Sequence, residues 1–387
     1  MRMASGGAVP SHGARTPSMA TSVQWTDLPN DLLHVLFVRV GGLLHRVRFA
    51  AVCRPWRAAA IAARHAGLPT LPWLIFNYGL DDKYCNMRRV YCPEDDGFLH
   101  FPLPKALIGK TFAGAHDGGW VAALGDDTHL AIVNLFSGAE VPLHAKDMTT
   151  FYAYKKVIFS ESPTSSGCIL ATITTRASVA LCRIGCPAKR WTAKIFNGPR
   201  LVDIVFYNGK LYALTNLEDL IKFKIGVNKD GRPVVTVELH MQIGSRPLTR
   251  ATNIVELHGK LAMVVKRCFY DNTYRKRFFF HVFVLVDNST KENTLTLKWE
   301  EVTTLGDWAL FFGRMWTKAL CVPAAGCGGV QRGAIYADDV TYLTSFDGHG
   351  DCVFPMRNES SEHAIKFVGP YSCCHVPCGM WVLPPDF

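Results

Sequence analysis

The sequence predicts a mainly β protein: a six- or seven-bladed β-propeller preceded by a small three-helix module. Three observations carry this expectation. Apolar residues between Trp25 and Ala66 recur at helical spacing, whereas after Pro69 the period becomes that of strands and stays so toward Phe387. Turn chemistry punctuates that second region every few residues, and no helix of useful length interrupts it. A chain of 387 residues with 49% hydrophobic and 19% charged side chains has enough apolar material for one large core and one small one.

Residues Met1 to Gln24 are rich in Ala, Ser, Gly and Pro, carry Arg2 and Arg15 and contain no acid. Residues 1–24 therefore read as a disordered leader, with an organellar transit peptide as the competing reading. In the helical module, residues 25–66, Leu28, Leu32, Leu33, Leu36, Phe37 and Val40 form one broad helix face. Asp27 is placed to cap this helix, Pro29 suits its first turn, Asp31 favours the positive end of its dipole, and Gly41-Gly42 ends it. A second helix is expected from Leu43 to about Cys53. Pro55 opens a third through Ala58, Ala59, Ala60 and Ile61, closed by Gly67 and Pro69. A core this small leans on a partner.

In the β region, residues 71–387, the clearest stretch is Thr111–Ala115, Trp120–Leu124, Thr128–Asn134 and Ala139–Leu143, linked by short Asp/Gly/Ser turns and hence an antiparallel meander. The rhythm continues with Val157–Phe159, Cys168–Thr174, Ser178–Arg183 and Trp191–Ile195. Next come Leu201–Phe206, an Asn208-Gly209 hairpin turn and Leu211–Leu214. Later strands are Thr252–Leu257, Lys260–Val265, Phe278–Val286, Leu295–Trp299, Ala309–Phe312, Lys318–Val322 and Val340–Phe346. Radial repetition of four-stranded sheets manages this many edges, which a single sandwich seldom does. Pro72-Trp73-Leu74 and Met380-Trp381-Val382-Leu383 are candidates to meet and close the ring.

Leu28-Pro29-x-Asp31-Leu32-Leu33, followed by Phe37 and Val40 and then by Arg48-Phe49-x-x-Val52-Cys53-Arg54-x-Trp56-Arg57, resembles an F-box. One departure lies around His45, where an acidic residue is common. The resemblance implies docking on a Skp-type adaptor and, through it, on a cullin. The residues it nominates for that contact are Leu28, Pro29, Leu32, Leu33, Phe37, Val40, Val52, Cys53 and Trp56. The physical logic is independent of the family: so small a module cannot hide all these side chains within itself, and helix-in-groove contact would cover the surplus.

The remainder resembles the plant family with a KIB-type β-propeller domain. Its phrases here are Gly114-Ala115-His116-Asp117-Gly118-Gly119-Trp120 with Asn134-Leu135-Phe136-Ser137-Gly138, and Ser160-Glu161-Ser162-Pro163. Trp299-Glu300-Glu301-Val302, Leu305-Gly306-Asp307-x-Ala309-Leu310-Phe311-x-Gly313 and Ile335-Tyr336-x-Asp338-Asp339 complete the set. Together the two resemblances imply a non-catalytic substrate receptor that presents an unknown protein target for ubiquitination, in cytoplasm or nucleus. If the leader is a transit peptide, the alternative is a plastid or mitochondrial propeller with a vestigial F-box.

Other classes find little support. There is no phosphate-cradling loop followed by Lys-Ser/Thr, nucleophile elbow or paired-His zinc motif, and Gly326-Cys327-Gly328-Gly329 lacks a strand-to-helix setting. Cys373-Cys374-His375 with Cys378 offers soft donors, but adjacent cysteines chelate poorly, so no metal and no cofactor is expected. The formal net charge of +10 favours acidic partners without naming one. Tyr270 to Phe280 mixes aromatics with Arg275, Lys276 and Arg277, as single-strand binders do, yet reads better as a hairpin flank than as a nucleic-acid site. The longest apolar run, Phe278 to Val286, is too short to cross a bilayer, so no membrane partner is expected. The odd count of 13 cysteines without a secretory signal points to reduced, mostly buried thiols.

Overall fold

The structure is a computed structural model that describes residues 25–40, 43–63, 70–76, 86–93, 97–125, 129–143, 156–174, 178–186, 191–243, 252–270, 276–287, 297–313, 315–322, 330–337, 365–367 and 379–385. The leader, Gly41-Gly42, Gly67 and Pro69, Arg275, Gly326–Gly329, Asp338-Asp339, Val340–Phe346 and the Cys373–Cys378 cluster lie outside the described residues.

Three helices come first: α1 (Asn30–Arg39), α2 (Leu43–Ala51) and α3 (Arg54–Ala63). The capping expectation is corrected here. Pro29, with φ −56° and ψ 144°, is the N-cap of α1, no side chain caps the helix, and Asp27 belongs to a separate 3-10 turn, Trp25–Asp27. The extended backbone that proline favours already sets the entry angle, and its carbonyl accepts the Leu33 N–H at 3.1 Å. Pro55 is the second residue of α3, where no intrahelical N–H bond is required.

Among the described residues, twenty-four strands then form six four-stranded sheets, a six-bladed propeller. The first blade holds β1 (Trp73–Phe76), β2 (Met87–Cys92) and β3 (Gly97–Pro102), completed by the last strand of the chain, β24 (Gly379–Val382). The second is β4 (Thr111–His116), β5 (Trp120–Leu124), β6 (Leu130–Asn134) and β7 (Glu140–Val141). The third is β8 (Val157–Phe159), β9 (Ile169–Ile173), β10 (Ser178–Arg183) and β11 (Thr192–Ile195). The fourth is β12 (Leu201–Tyr207), β13 (Lys210–Thr215), β14 (Leu220–Val227) and β15 (Pro233–Met241). The fifth is β16 (Thr252–Leu257), β17 (Lys260–Tyr270), β18 (Lys276–Asp287) and β19 (Leu297–Val302). The sixth is β20 (Trp308–Phe312), β21 (Lys318–Cys321), β22 (Ile335–Ala337) and β23 (Ile365–Phe367).

Blades two to five are antiparallel meanders in sequence order. Asn208-Gly209 turns the β12–β13 hairpin with φ of 48° and 68°, the paired left-handed conformation that matches strand twist. Lys276 and Arg277 open β18, the second arm of a long hairpin with β17. The sixth blade departs from the pattern: β21 pairs antiparallel with β20, while β22 joins the other edge of β20 in parallel.

Ring closure uses the two segments singled out from the sequence. β1 pairs antiparallel with β24, Leu74 opposite Trp381 and Ile75 opposite Met380. Trp381 is fully buried, donates its indole N–H to the Phe312 carbonyl at 3.2 Å, and meets the Phe311 ring edge-on at 5.1 Å. One terminal side chain thus ties the first blade to the sixth. The innermost strands β24, β4, β8, β12, β16 and β21 pack in that succession. Polar links cross between neighbouring blades: Lys156, just before β8, meets Asp203 of β12, Asp203 accepts the Ile254 N–H of β16 at 3.0 Å, and Asn253 of β16 donates to the carbonyl of Gly313, just after β20, at 3.0 Å. Lys156, part of a basic pair in the sequence, is therefore a buried interblade contact rather than surface charge.

Candidate protein-interaction surface

The helical head has its own core, built from Leu33, Phe37, Phe49, Ala59, Ala60 and Ala63, with Leu28, Val40, Ala50 and Trp56 packed against it. Phe49 is its hub. The Phe37 ring meets it edge-on at 5.3 Å, the Trp56 ring tilts onto it at 4.4 Å, and Arg46 lies over Phe37 at 5.8 Å. Alanines at three positions of α3 let the helices approach closely. Trp56 also donates its indole N–H to the Trp25 carbonyl at 3.1 Å, and Arg57 donates to Ala50 at 3.3 Å.

This small core consumes only part of the apolar surface of the head. Leu33 is fully buried and Phe37 nearly so, but Leu32 is 51% exposed and Val52 55% exposed. Of the other nominated residues, Leu28, Val40, Cys53 and Trp56 are half-buried and Pro29 is exposed. The nine therefore separate into interior side chains (Leu33, Phe37), flanking ones (Leu28, Val40, Cys53, Trp56) and outward ones (Pro29, Leu32, Val52). Three further exposed residues extend the outward set: Val35, Leu36 and Val38. At 100° per residue, Leu36 and Leu32 lie about 60° and about 100° round the helix from Leu33, and Val35 about 160°, so the apolar surface of α1 extends well beyond the face it buries. That is the pattern of a helix covered on both sides, and within the described head only one side is covered. The signal was present in the sequence as six apolar residues among the ten of α1, more than one buried stripe requires.

Chemically, the outward stripe of α1 offers nothing to a reaction. It carries no nucleophile, and no group of three or more metal-ligating side chains is found among the described residues. What it offers is apolar area for another protein, flanked by Asp31 and Arg39.

A short helical head with exposed apolar surface followed by a six-bladed propeller defines the class as a two-part, β-propeller protein. Residues 90–365 match the family model described as the KIB1-4 beta-propeller, and the chain belongs to that family. F-box protein At3g56470 of Arabidopsis thaliana is 26% identical over 378 residues, 93% of this chain and 88% of that protein. F-box/kelch-repeat protein At1g57790 of the same plant is 29% identical over 205 residues, 51% of this chain and 56% of that protein.

Proposed function

We propose that this protein is a substrate receptor of a Skp-cullin-F-box ubiquitin ligase: the head, residues 25–66, docks as an F-box on a Skp-type adaptor, and the propeller holds a protein target. The observation that carries the reading is the uncovered apolar stripe Leu32, Val35 and Leu36, with Val52, on a head too small to bury it. The 26% identity to an F-box protein of Arabidopsis thaliana over 93% of the chain supports it. The mechanism is proximity. The receptor raises the effective concentration of target lysines near the ubiquitin carrier and supplies orientation rather than acid, base or nucleophile. Cytoplasm and nucleus are the compartments in which this partnership operates, and a C-terminal fluorescent tag reports them.

The test is capture of the full chain by a purified plant Skp adaptor. Leu32→Ala/Leu36→Ala removes outward area without touching the core, and anchors of this kind lose ~2 kcal/mol or more on truncation. Capture by the wild type and loss in the double variant, with unchanged circular dichroism, is the expected result. Equal capture of both, or of neither, removes the ligase reading.

A further inference from the structure

The outer edge of the fourth blade is unlike the other five. β15 has a ladder partner on one side only, β14; on its other side the Pro233 carbonyl, at the start of the strand, accepts the Thr192 hydroxyl of β11. At nine residues β15 outruns the outermost strands of the other blades, which span two residues in β7 to six in β3 and β19. Proteins usually shorten or break such edges because a free row of N–H and C=O groups recruits another strand. Here Pro233 to Val237 pair in unbroken register with Val227 to Phe223, and only beyond Phe223 does a bulge interrupt the ladder. Val234, Val237 and Leu239 stand exposed along this edge.

The face beside it is basic and aromatic. Lys222 and Lys224 lie on β14 and Lys210 opens β13. Their common neighbour is Glu238, held below the usual carboxylate range first by the Lys222 hydrogen bond at 2.6 Å and then by the charges of all three lysines. Three cations around one carboxylate leave this face positive. Tyr212, the cross-strand partner of Lys222, and Tyr207, 6.1 Å from it, form an aromatic floor.

We propose that β15 is the target-docking edge: an extended peptide with alternating acidic and apolar side chains adds to it as a fifth strand. Its acidic side chains lie on the face of Lys222 and Lys224, and its apolar side chains lie beside Val237 on the opposite face. Backbone pairing gives this contact its affinity, and the alternate positions give specificity. The inference rests on the propeller being the target-binding part of the receptor, but its test does not use the adaptor, so the two can fail separately.

The probe is a labelled peptide of about ten residues alternating Glu and Val, long enough to span the edge, titrated into the purified full chain and followed by fluorescence anisotropy. Binding is expected, weakened by added salt and lowered about tenfold or more in Lys222→Glu/Lys224→Glu. A peptide with Lys in place of Glu, and the Glu/Val peptide N-methylated on alternate amides, are expected not to bind. Lys224 is exposed and Lys222 half-buried, and an unchanged melting temperature of the double variant confirms that it is folded. Absence of binding, equal binding of the acidic and basic peptides, unimpaired binding of the N-methylated peptide, or full affinity in the double variant each overturns the proposal. An edge that is merely guarded by its charges binds none of the three.

Discussion

Replacing Asp203 by alanine attacks the propeller where three blades meet. Its carboxylate accepts both contacts from the Lys156 ammonium, at 3.0 and 3.1 Å, and one oxygen also accepts the Ile254 backbone N–H at 3.0 Å. Lys156 precedes β8, Asp203 lies in β12 and Ile254 in β16, so one side chain joins the inner strands of blades three, four and five. The side chains of the pair are only 10% and 6% exposed. Removing the carboxylate leaves a buried ammonium without its counter-ion, a loss of ~3–5 kcal/mol, and strands an N–H worth ~1–3 kcal/mol. These overlap, because the lysine stem is long enough to move its head toward water, so about 4 kcal/mol is the expected destabilisation. Lys156→Met/Asp203→Ala removes both charges and leaves only the stranded N–H. It is expected to be more stable than Asp203→Ala, with a coupling energy of about 2 kcal/mol or more. Guanidinium unfolding followed by tryptophan fluorescence measures the cycle. A cost below about 1 kcal/mol for Asp203→Ala, or a double variant no better than the sum of the single ones, refutes the argument that a paired buried charge fastens these blades.

Three further outcomes are expected. Trp381→Ala, at the fully buried ring-closing position, costs ~3–5 kcal/mol in the same unfolding assay and frees the C-terminal segment to limited proteolysis. Gly114→Ala places a methyl group against the Val157 carbonyl of the neighbouring inner strand, backbone against side chain with no flexible group to yield, and lowers stability by ~1–3 kcal/mol or more; an unchanged melting temperature contradicts it. Burial pushes the Cys168 thiol to about 11 and the Cys182 thiol to about 12, against an ordinary 9.0. Above pH 9 the unfolded chain therefore loses protons that the folded chain keeps, so stability falls as pH rises toward 11, and mass spectrometry after alkylation at pH 8 finds exposed Cys321 modified well before either.

Blades two and three were legible strand by strand because their strands are short apolar runs, buried almost throughout in β4, β5 and β10, and most of their links carry Asp, Gly or Ser. Where charge broke the run, strands escaped notice. β2 begins Met87-Arg88-Arg89, which reads as surface, yet Arg88 is buried at 3% exposure and donates to the Met87 carbonyl. β14 carries Lys222 and Lys224 on one face, and β15 contains the bulge, so neither shows a clean period. β22 is three residues long and joins its sheet in parallel, a pairing that no local pattern announces. Blade number was open for the same reason: a strand count that misses these elements does not separate six blades from seven.

The head shows a different limit. Leu32 and Leu33 are neighbours of one residue type on one broad apolar face, and helical periodicity gives them equal standing. What separates them is packing from elsewhere: Phe49 of α2 and Ala59, Ala60 and Ala63 of α3 close over Leu33 and Phe37 and leave Leu32 bare. That difference divides two kinds of loss. Leu33→Ala removes a core side chain and weakens the head itself by ~2–5 kcal/mol, whereas Leu32→Ala, half exposed already, costs the fold little and shows only in a partner's absence. A surface that contributes little to its own fold, yet stays apolar from Leu32 to Leu36, is available to a partner of the kind proposed above.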